Sequence, residues 1–301
     1  MLVGLVVFVL FDIALVAFAL GGPLKPASVD ANPTAVENVE TTPTPPPAVE
    51  PVETPVAAAV PPTRILSALD GTTAWRASTA SCPRSQANPE LTTDSGATWE
   101  RSNASINTGA SSILSINAIS DSQASMVTLA ADGCAPQLIG TFVAGAEWAD
   151  FPDRLSGNWY VDPSDRATVH SPAGSFKAPC ASVIALAPRT DADAGVLCAD
   201  GTIARTSDGA AGWGKSISLP GAVNLAVSGD GYIVAAAGQK GCAGVQVLST
   251  SEALDGSLTA DGCREVTFKP GAVALSSAEG VVWLWAGDTF AQSSDGGATW
   301  G

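Results

Sequence analysis

The octet Thr92-Thr93-Asp94-Ser95-Gly96-Ala97-Thr98-Trp99 returns near residue 300 as Ser293-Ser294-Asp295-Gly296-Gly297-Ala298-Thr299-Trp300. Both copies obey one template: hydroxyl, any residue, Asp, any residue, Gly, any residue, Thr, Trp. An Asp in that position folds its carboxylate back onto following backbone N–H groups, and the Gly takes the positive φ that closes the turn. The Trp then leaves the turn as a large apolar plug. The unit is a hairpin turn with a built-in anchor, and a chain that repeats it is built from similar sheets.

Weaker copies lie between the two clear ones. Thr206-Ser207-Asp208-Gly209-Ala210-Ala211-Gly212-Trp213 keeps the hydroxyl, the Asp and the Trp, with Ala210 where the Gly belongs. Thr141-Phe142-Val143-Ala144-Gly145-Ala146-Glu147-Trp148 keeps the hydroxyl, the Gly and the Trp, with Val143 in place of the Asp. A faint trace surrounds Gly174, and Leu254-Asp255-Gly256-Ser257 is a further candidate turn. From Thr63 onward the chain reads as short apolar β segments separated by Gly, Asp, Ser and Pro, so the class is all-β. Ser182–Ala187, Ala194–Cys198 and Thr202–Thr206 read as three strands leading into a turn, as do Ala272–Leu275, Val281–Trp285 and Thr289–Ser293.

These octets resemble those of the Asp-box (bacterial neuraminidase repeat) β-propellers, a group that includes sialidases and photosystem-assembly-factor-like propellers. The resemblance implies a box between the third and fourth strand of each blade, on the outer rim away from the axial pocket. It makes Thr92, Asp94, Gly96, Trp99, Thr206, Asp208, Trp213, Ser293, Asp295, Gly297 and Trp300 turn formers and plugs, not catalytic residues. The anchors Trp99, Trp148, Trp213 and Trp300 are 49, 65 and 87 residues apart, against about 40–50 residues for a four-stranded blade. Counting the two longer gaps as two blades each gives six, at residues 64–106, 107–152, 153–179, 180–221, 222–271 and 272–301. The block 153–179 is short, so five blades is the fallback, and seven is a further alternative. The last block stops one residue past Trp300, so a strand around Val56–Val60 is expected to pair there and close the ring.

Residues 1–22 form the first segment. Leu2–Leu20 is apolar apart from Asp12, and nineteen helical residues reach about 28 Å, close to a bilayer's hydrocarbon core. This is a single-pass signal-anchor, or a signal peptide cut after Ala17-Phe18-Ala19. Residues 23–62 hold 11 of the 21 prolines and Thr41-Thr42-Pro43-Thr44, which specifies a disordered, extended linker. Residues 63–301 are the propeller. The chain carries 29 acids against 14 bases, which argues against nucleic acid or anionic lipid as a partner.

The six cysteines, Cys82, Cys134, Cys180, Cys198, Cys242 and Cys263, include no C-x-x-C pair, and His170 is the sole histidine. Neither a metal site nor a cofactor is expected. Behind an export signal they form disulfides. Cys180–Cys198 and Cys242–Cys263 each flank a strand pair and staple it, which leaves Cys82–Cys134.

Sialidases, by the resemblance, use an arginine triad, a Tyr activated by a Glu, an Asp acid and an Arg-Ile-Pro near the first strand. Here Arg64-Ile65-Leu66 lacks the Pro, Tyr160 and Tyr232 are the only tyrosines, and Trp283 and Trp285 read as interblade packing. The expected function is a non-enzymatic binding or scaffold module in a bacterial cell envelope. It would be a monomer tethered on the extracytoplasmic side, or secreted, with an unknown protein or glycan ligand. The alternative is a sialidase-like glycoside hydrolase or a carbohydrate-binding propeller.

Overall fold

The computed structural model describes residues 59–254, 256 and 258–301. The expected membrane helix, the linker as far as residue 58, and Asp255 and Ser257 of one candidate turn lie outside the described residues. Among the described residues no helix is long and apolar enough to cross a membrane.

Blade one is an antiparallel sheet of β1 (Arg64–Ala68), β2 (Ala74–Ser78), β3 (Glu90–Thr92) and β4 (Glu100–Arg101). One helical turn, α1 (Ser105–Thr108), leads to blade two: β5 (Ala110–Ala118), β6 (Ala124–Ala130), β7 (Pro136–Thr141) and β8 (Ala149–Asp150). A 3-10 turn, η1 (Pro152–Gly157), and the hairpin β9 (Thr168–Ser171) and β10 (Gly174–Lys177) come next. Blade three is β11 (Val183–Pro188), β12 (Ala194–Cys198), β13 (Thr202–Thr206) and β14 (Ile217–Ser218). Blade four is β15 (Ala222–Ser228), β16 (Gly231–Ala237), β17 (Gly244–Thr250) and β18 (Thr259–Glu265). Blade five is β19 (Val273–Ala278), β20 (Val281–Ala286) and β21 (Thr289–Ser293). The described residues thus form a five-bladed β-propeller.

The six-bladed and seven-bladed counts are corrected by this topology. The span 153–179 is 27 residues, too few for four strands and three turns, and Pro163 and Pro172 remove ladder donors from it. It folds instead as η1 and a two-stranded hairpin. The other five blocks match the observed blades.

The core lies between the sheets. Trp75, Ala77 and Leu91 of blade one meet Ile113, Met126 and Ile139 of blade two. Ile184, Leu197 and Ile203 of blade three meet Leu225, Tyr232 and Val234 of blade four. Blades four and five join through Ile233, Ala235 and Val247 against Leu275, Val282 and Leu284. Blades five and one close the ring through Leu66 and Ala74 against Ala274 and Trp283. On its remaining face blade three presents Val183, Ala194, Val196 and Ala204 not to another blade but to Trp159, Val169 and Ala178 of the insertion. η1 packs on β7 on one side and β9 on the other.

Serines tie the inner strands where they crowd. The Ala118 N–H donates to Ser67 Oγ (3.1 Å), the Ala68 N–H to Ser276 Oγ (3.0 Å), and Ser228 Oγ lies 3.1 Å from Ser277 Oγ. The expected closing strand at Val56–Val60 is mostly outside the described residues. Its described part does not extend blade five: the Ala59 N–H donates to the Ala199 carbonyl of blade three (3.2 Å), and β21 pairs with β20. Ring closure is made instead by Thr63 N–H to the Gly271 carbonyl (2.8 Å) and by Trp283 Nε1–H to the Asp70 carbonyl (3.0 Å).

The disulfides join the expected pairs: Cys82–Cys134, Cys180–Cys198 and Cys242–Cys263. The second staples β11 to β12 and the third β17 to β18, while the first links the β2–β3 connection of blade one to the β6–β7 connection of blade two. Strand order places the octet turns at one end of every sheet and these connections at the other, so all three cross-links hold the rim opposite the octets.

Thiol titration of the unreduced protein is expected to give no more than a trace of free thiol. The Cys180→Ser/Cys198→Ser variant should lose about 2–4 kcal/mol in urea unfolding, and free thiol approaching one per pair would overturn the assignment.

Candidate functional site

Four octet turns occupy equivalent places, each directly after the third strand of a blade. The hydroxyl residue ends the third strand and is buried: Thr92, Thr141, Thr206 and Ser293. Its oxygen accepts the N–H four residues on, from Gly96 (3.0 Å), Gly145 (3.0 Å), Ala210 (3.0 Å) and Gly297 (2.8 Å). Where an Asp is present the hydroxyl donates to it, at 2.8 Å for Asp94 and Asp208 and 2.7 Å for Asp295. The carboxylate then accepts the N–H of Thr98 (2.9 Å), Gly212 (2.9 Å) or Thr299 (2.8 Å). Thr98 and Thr299 add a hydroxyl donor at 2.6 Å, which Gly212 cannot.

These donors favour the ionised carboxylate. The Thr98 hydroxyl, the Thr98 N–H and the Thr92 hydroxyl hold Asp94 at about 2, and the Thr299 and Ser293 hydroxyls hold Asp295 at about 2. Asp208 is also lowered, chiefly by the Gly212 N–H. The three aspartates are spent on their own turns.

Each plug reaches back to the element that precedes its blade around the ring. Trp99 of blade one stands edge-on to Phe290 of blade five at 5.2 Å, and Trp148 of blade two stands edge-on to Trp75 of blade one at 5.7 Å. Trp300 of blade five packs into the cluster shared with blade four. Trp213 of blade three donates Nε1–H to the Lys177 carbonyl of β10 at 3.0 Å. The turn residues must be thin to let the sheets close. A Cβ on Gly96 would lie 2.2 Å from Phe290, and one on Gly297 3.2 Å from Val247. Ala210 keeps a positive φ of 75° with a side chain buried against the insertion, and here it is Gly209 whose Cβ would lie 2.6 Å from Ala173. Blade four has no Trp at this place: Leu254, fully buried in the cluster of blades three and four, is its plug. Sequence reading marks the turn and misses the plug, since Leu254 precedes the Asp-Gly pair.

Arginines, a tyrosine and acids are joined by hydrogen bonds between blades three and four. Arg205 pairs with Asp193 through Nη2 and, at 3.2 Å, through Nε, and it reaches Glu252 at 3.2 Å. Arg189 also reaches Glu252, at 3.6 Å. The Tyr232 O–H donates to Asp193 at 2.8 Å, its ring seated where a Cβ on Gly195 would come within 2.9 Å. Burial first, then the hydrogen bond to Asp193, push the Tyr232 phenol well above its usual range. Burial acts to raise Asp193, but the Arg205 and Tyr232 hydrogen bonds hold it below the ordinary carboxylate value. Tyr232 is only 1% exposed and its acceptor Asp193 is already paired with Arg205, so the phenol is sealed from solvent. This cluster is a closed strut between two sheets.

The remaining singled-out residues are apart from it. Tyr160 bridges His170 through the backbone and stacks on its ring at 4.3 Å, and Ser175 Oγ lies 2.8 Å from His170 Nδ1. Arg64 lies over Trp285 at 4.3 Å, and Arg76 lies between Trp99 (4.0 Å) and Trp285 (4.8 Å). Trp283 and Trp285 therefore pack against blade one, as expected.

Because the folded carboxylates of Asp94 and Asp295 sit at about 2 and an unfolded Asp near 3.9, their contribution is fully present above pH ~4 and is lost as pH falls through about 2. In acid titrations monitored by tryptophan fluorescence, Asp94→Asn/Asp295→Asn should show a shallower loss of stability between pH ~4 and ~2 than the unaltered chain. Superimposable curves would remove the caps from the acid response.

No family model matches the chain, and no curated protein matches it. Solved structures similar to it include YCF48 bound to a D1 peptide, at 15% identity and a TM-score of 0.30, covering 82% of each chain. YCF48 from Cyanidioschyzon merolae is 13% identical with a TM-score of 0.41, covering 81% of this chain and 86% of that one. The GH74 enzyme of Niastella koreensis is 10% identical with a TM-score of 0.32, covering 78% of this chain and 40% of that one. The five-bladed propeller itself rests on the sheets described above.

Proposed function

We propose that the chain is a monomeric Asp-box propeller, tethered outside the cytoplasmic membrane by its apolar N-terminal segment, that binds a protein or glycan and performs no catalysis. One observation carries this reading: the arginines, tyrosine and acids between blades three and four are spent on one another, with Tyr232 buried and its acceptor Asp193 paired with Arg205. Two further observations support it. Three disulfides rigidify one rim, which suits an oxidising compartment. The octet aspartates are satisfied within their own turns, so they act as fasteners. The parts of such a rigid ring that vary are its loops, and binding is carried there.

The purified full chain is expected to sediment as a monomer and to leave a fluorogenic sialoside unhydrolysed. In intact cells it should stay in the membrane fraction and be digested by added protease. Turnover of the sialoside that disappears in Tyr232→Phe would establish the hydrolase reading instead.

A further inference from the structure

Five large apolar side chains among the described residues are exposed, and three of them lie on two hydrogen-bonded turns of blade two. Phe142 and Val143, 55% and 50% exposed, are the second and third residues of its octet turn; Ile119, 51% exposed, tips the β5–β6 turn beside it. The two turns are joined by the Ala144 N–H donating to the Ser122 carbonyl at 2.8 Å. The Phe142 ring stands edge-on to Phe151 at 5.9 Å.

The same two positions in the other octets hold Thr93 and Asp94, Ser207 and Asp208, Ser294 and Asp295. All of them are exposed, so the position calls for no apolar residue; Phe142 touches Phe151 yet stays 55% exposed, and Val143 50%. The turn keeps its shape without the acid: Thr141 Oγ1 still accepts the Gly145 N–H at 3.0 Å and the Val143 N–H at 3.3 Å. Blade two has therefore exchanged a hydrogen-bonded cap for apolar surface in water, which lowers its own stability.

Charge around the patch is one-sided. Asp121 lies in the β5–β6 turn, Glu147 in the octet turn, Asp150 in β8 and Asp153 in η1. The one base among these elements, Arg154, is drawn over the Phe151 ring at 5.2 Å. The whole chain carries a formal charge of −15. A second copy would bring an identical acidic rim against this one, and an anionic bilayer would repel it.

We propose that the paired turns of blade two are a docking surface for a basic segment of a partner protein. An aliphatic or aromatic anchor of the partner lodges among Ile119, Phe142 and Val143, and flanking Lys or Arg side chains pair with Asp121 and Glu147. The proposal rests on the binding-module reading and names the chemistry of the partner.

The test uses the full chain and a fluorescein-labelled peptide of about twelve residues that alternates Lys with Leu and Phe. The variant Phe142→Ser/Val143→Asp gives this turn the residues carried by blade three, so it should unfold at or above the temperature of the unaltered chain. Its peptide affinity should fall by more than about tenfold. Binding to the unaltered chain should weaken several-fold between about 50 mM and about 500 mM salt, and peptides with Glu for Lys, or Ser for Leu and Phe, should not bind. The proposal is overturned if the unaltered chain ignores the peptide, if chain and variant bind alike, or if the Glu peptide binds equally. It is also overturned if the chain forms dimers that the variant does not, or binds phosphatidylcholine vesicles through this patch. Failure on any of these counts, with the sialoside still unhydrolysed, removes the blade-two surface and leaves the wider reading standing; sialoside turnover removes the wider reading itself.

Discussion

The ring depends on one contact repeated around it: the apolar plug of each octet turn packs backward onto whatever stands before its own blade. The fourth strands of blades one, two and three are two residues long, so outer edges alone bury little. A tryptophan there removes on the order of 150–250 Å² from water, at roughly 25 cal/mol per Å² more than a two-residue ladder supplies. The turn's hydrogen bonds aim this plug. The Thr or Ser hydroxyl fixes the bend, the Asp carboxylate locks its far side, and the positive-φ residue leaves room for the neighbour's side chain. Hydrogen bonding and packing thus act in series, and a Cβ on Gly96 would press on Phe290 of another blade.

That direction of packing explains the filling of the space ahead of blade three. Its plug, Trp213, reaches Lys177 of β10, and Ala210 and Phe176 share the cluster that covers the exposed side of the sheet. The hairpin stands where a preceding blade would stand, with a fraction of the residues. The close approach falls one residue earlier here, since a Cβ on Gly209 would lie 2.6 Å from Ala173, and this turn alone of the four octets carries alanine at the position the others give to glycine. Position of neighbour and identity of turn residue are linked through the distance between them.

The sequence was legible where a residue's role is set locally. Octet template, strand boundaries in blades three and five, and disulfide partners all derive from spacing, because turns and hairpins are closed by residues near one another in the chain. Blade number was not legible, since it depends on whether residues 153–179 fold as a sheet or pack as a wedge, and their anchors, Trp159 and Val169, find partners far along the chain. The path of residues 59 and 60 was hidden for a related reason. An extended apolar stretch can pair with any open edge, and nothing local favoured blade five over Ala199. Of the candidate site, the departure at Val143 was visible as a broken repeat. Its exposure, and the joining of its turn to the one that carries Ile119, required the topology.

The two rims of the ring are held by different means, and this bears on where surface is free to vary. One rim is cross-linked covalently, and its connections are fixed whatever side chains they carry. The octet rim is held by caps and plugs, so a blade that drops its cap must be secured elsewhere. Blade two is. Its inner strand β5 is nine residues long, Cys134 ties it to blade one on the far rim, and its plug Trp148 is clasped by Trp75 and by Ser102 Oγ at 3.2 Å. Blade three lacks such a tie to its preceding neighbour, since its disulfide closes within its own sheet, and it keeps Asp208. The cap is absent at a turn whose sheet is held besides by Cys134 and by the clasped Trp148, and that is where the outward positions have become apolar.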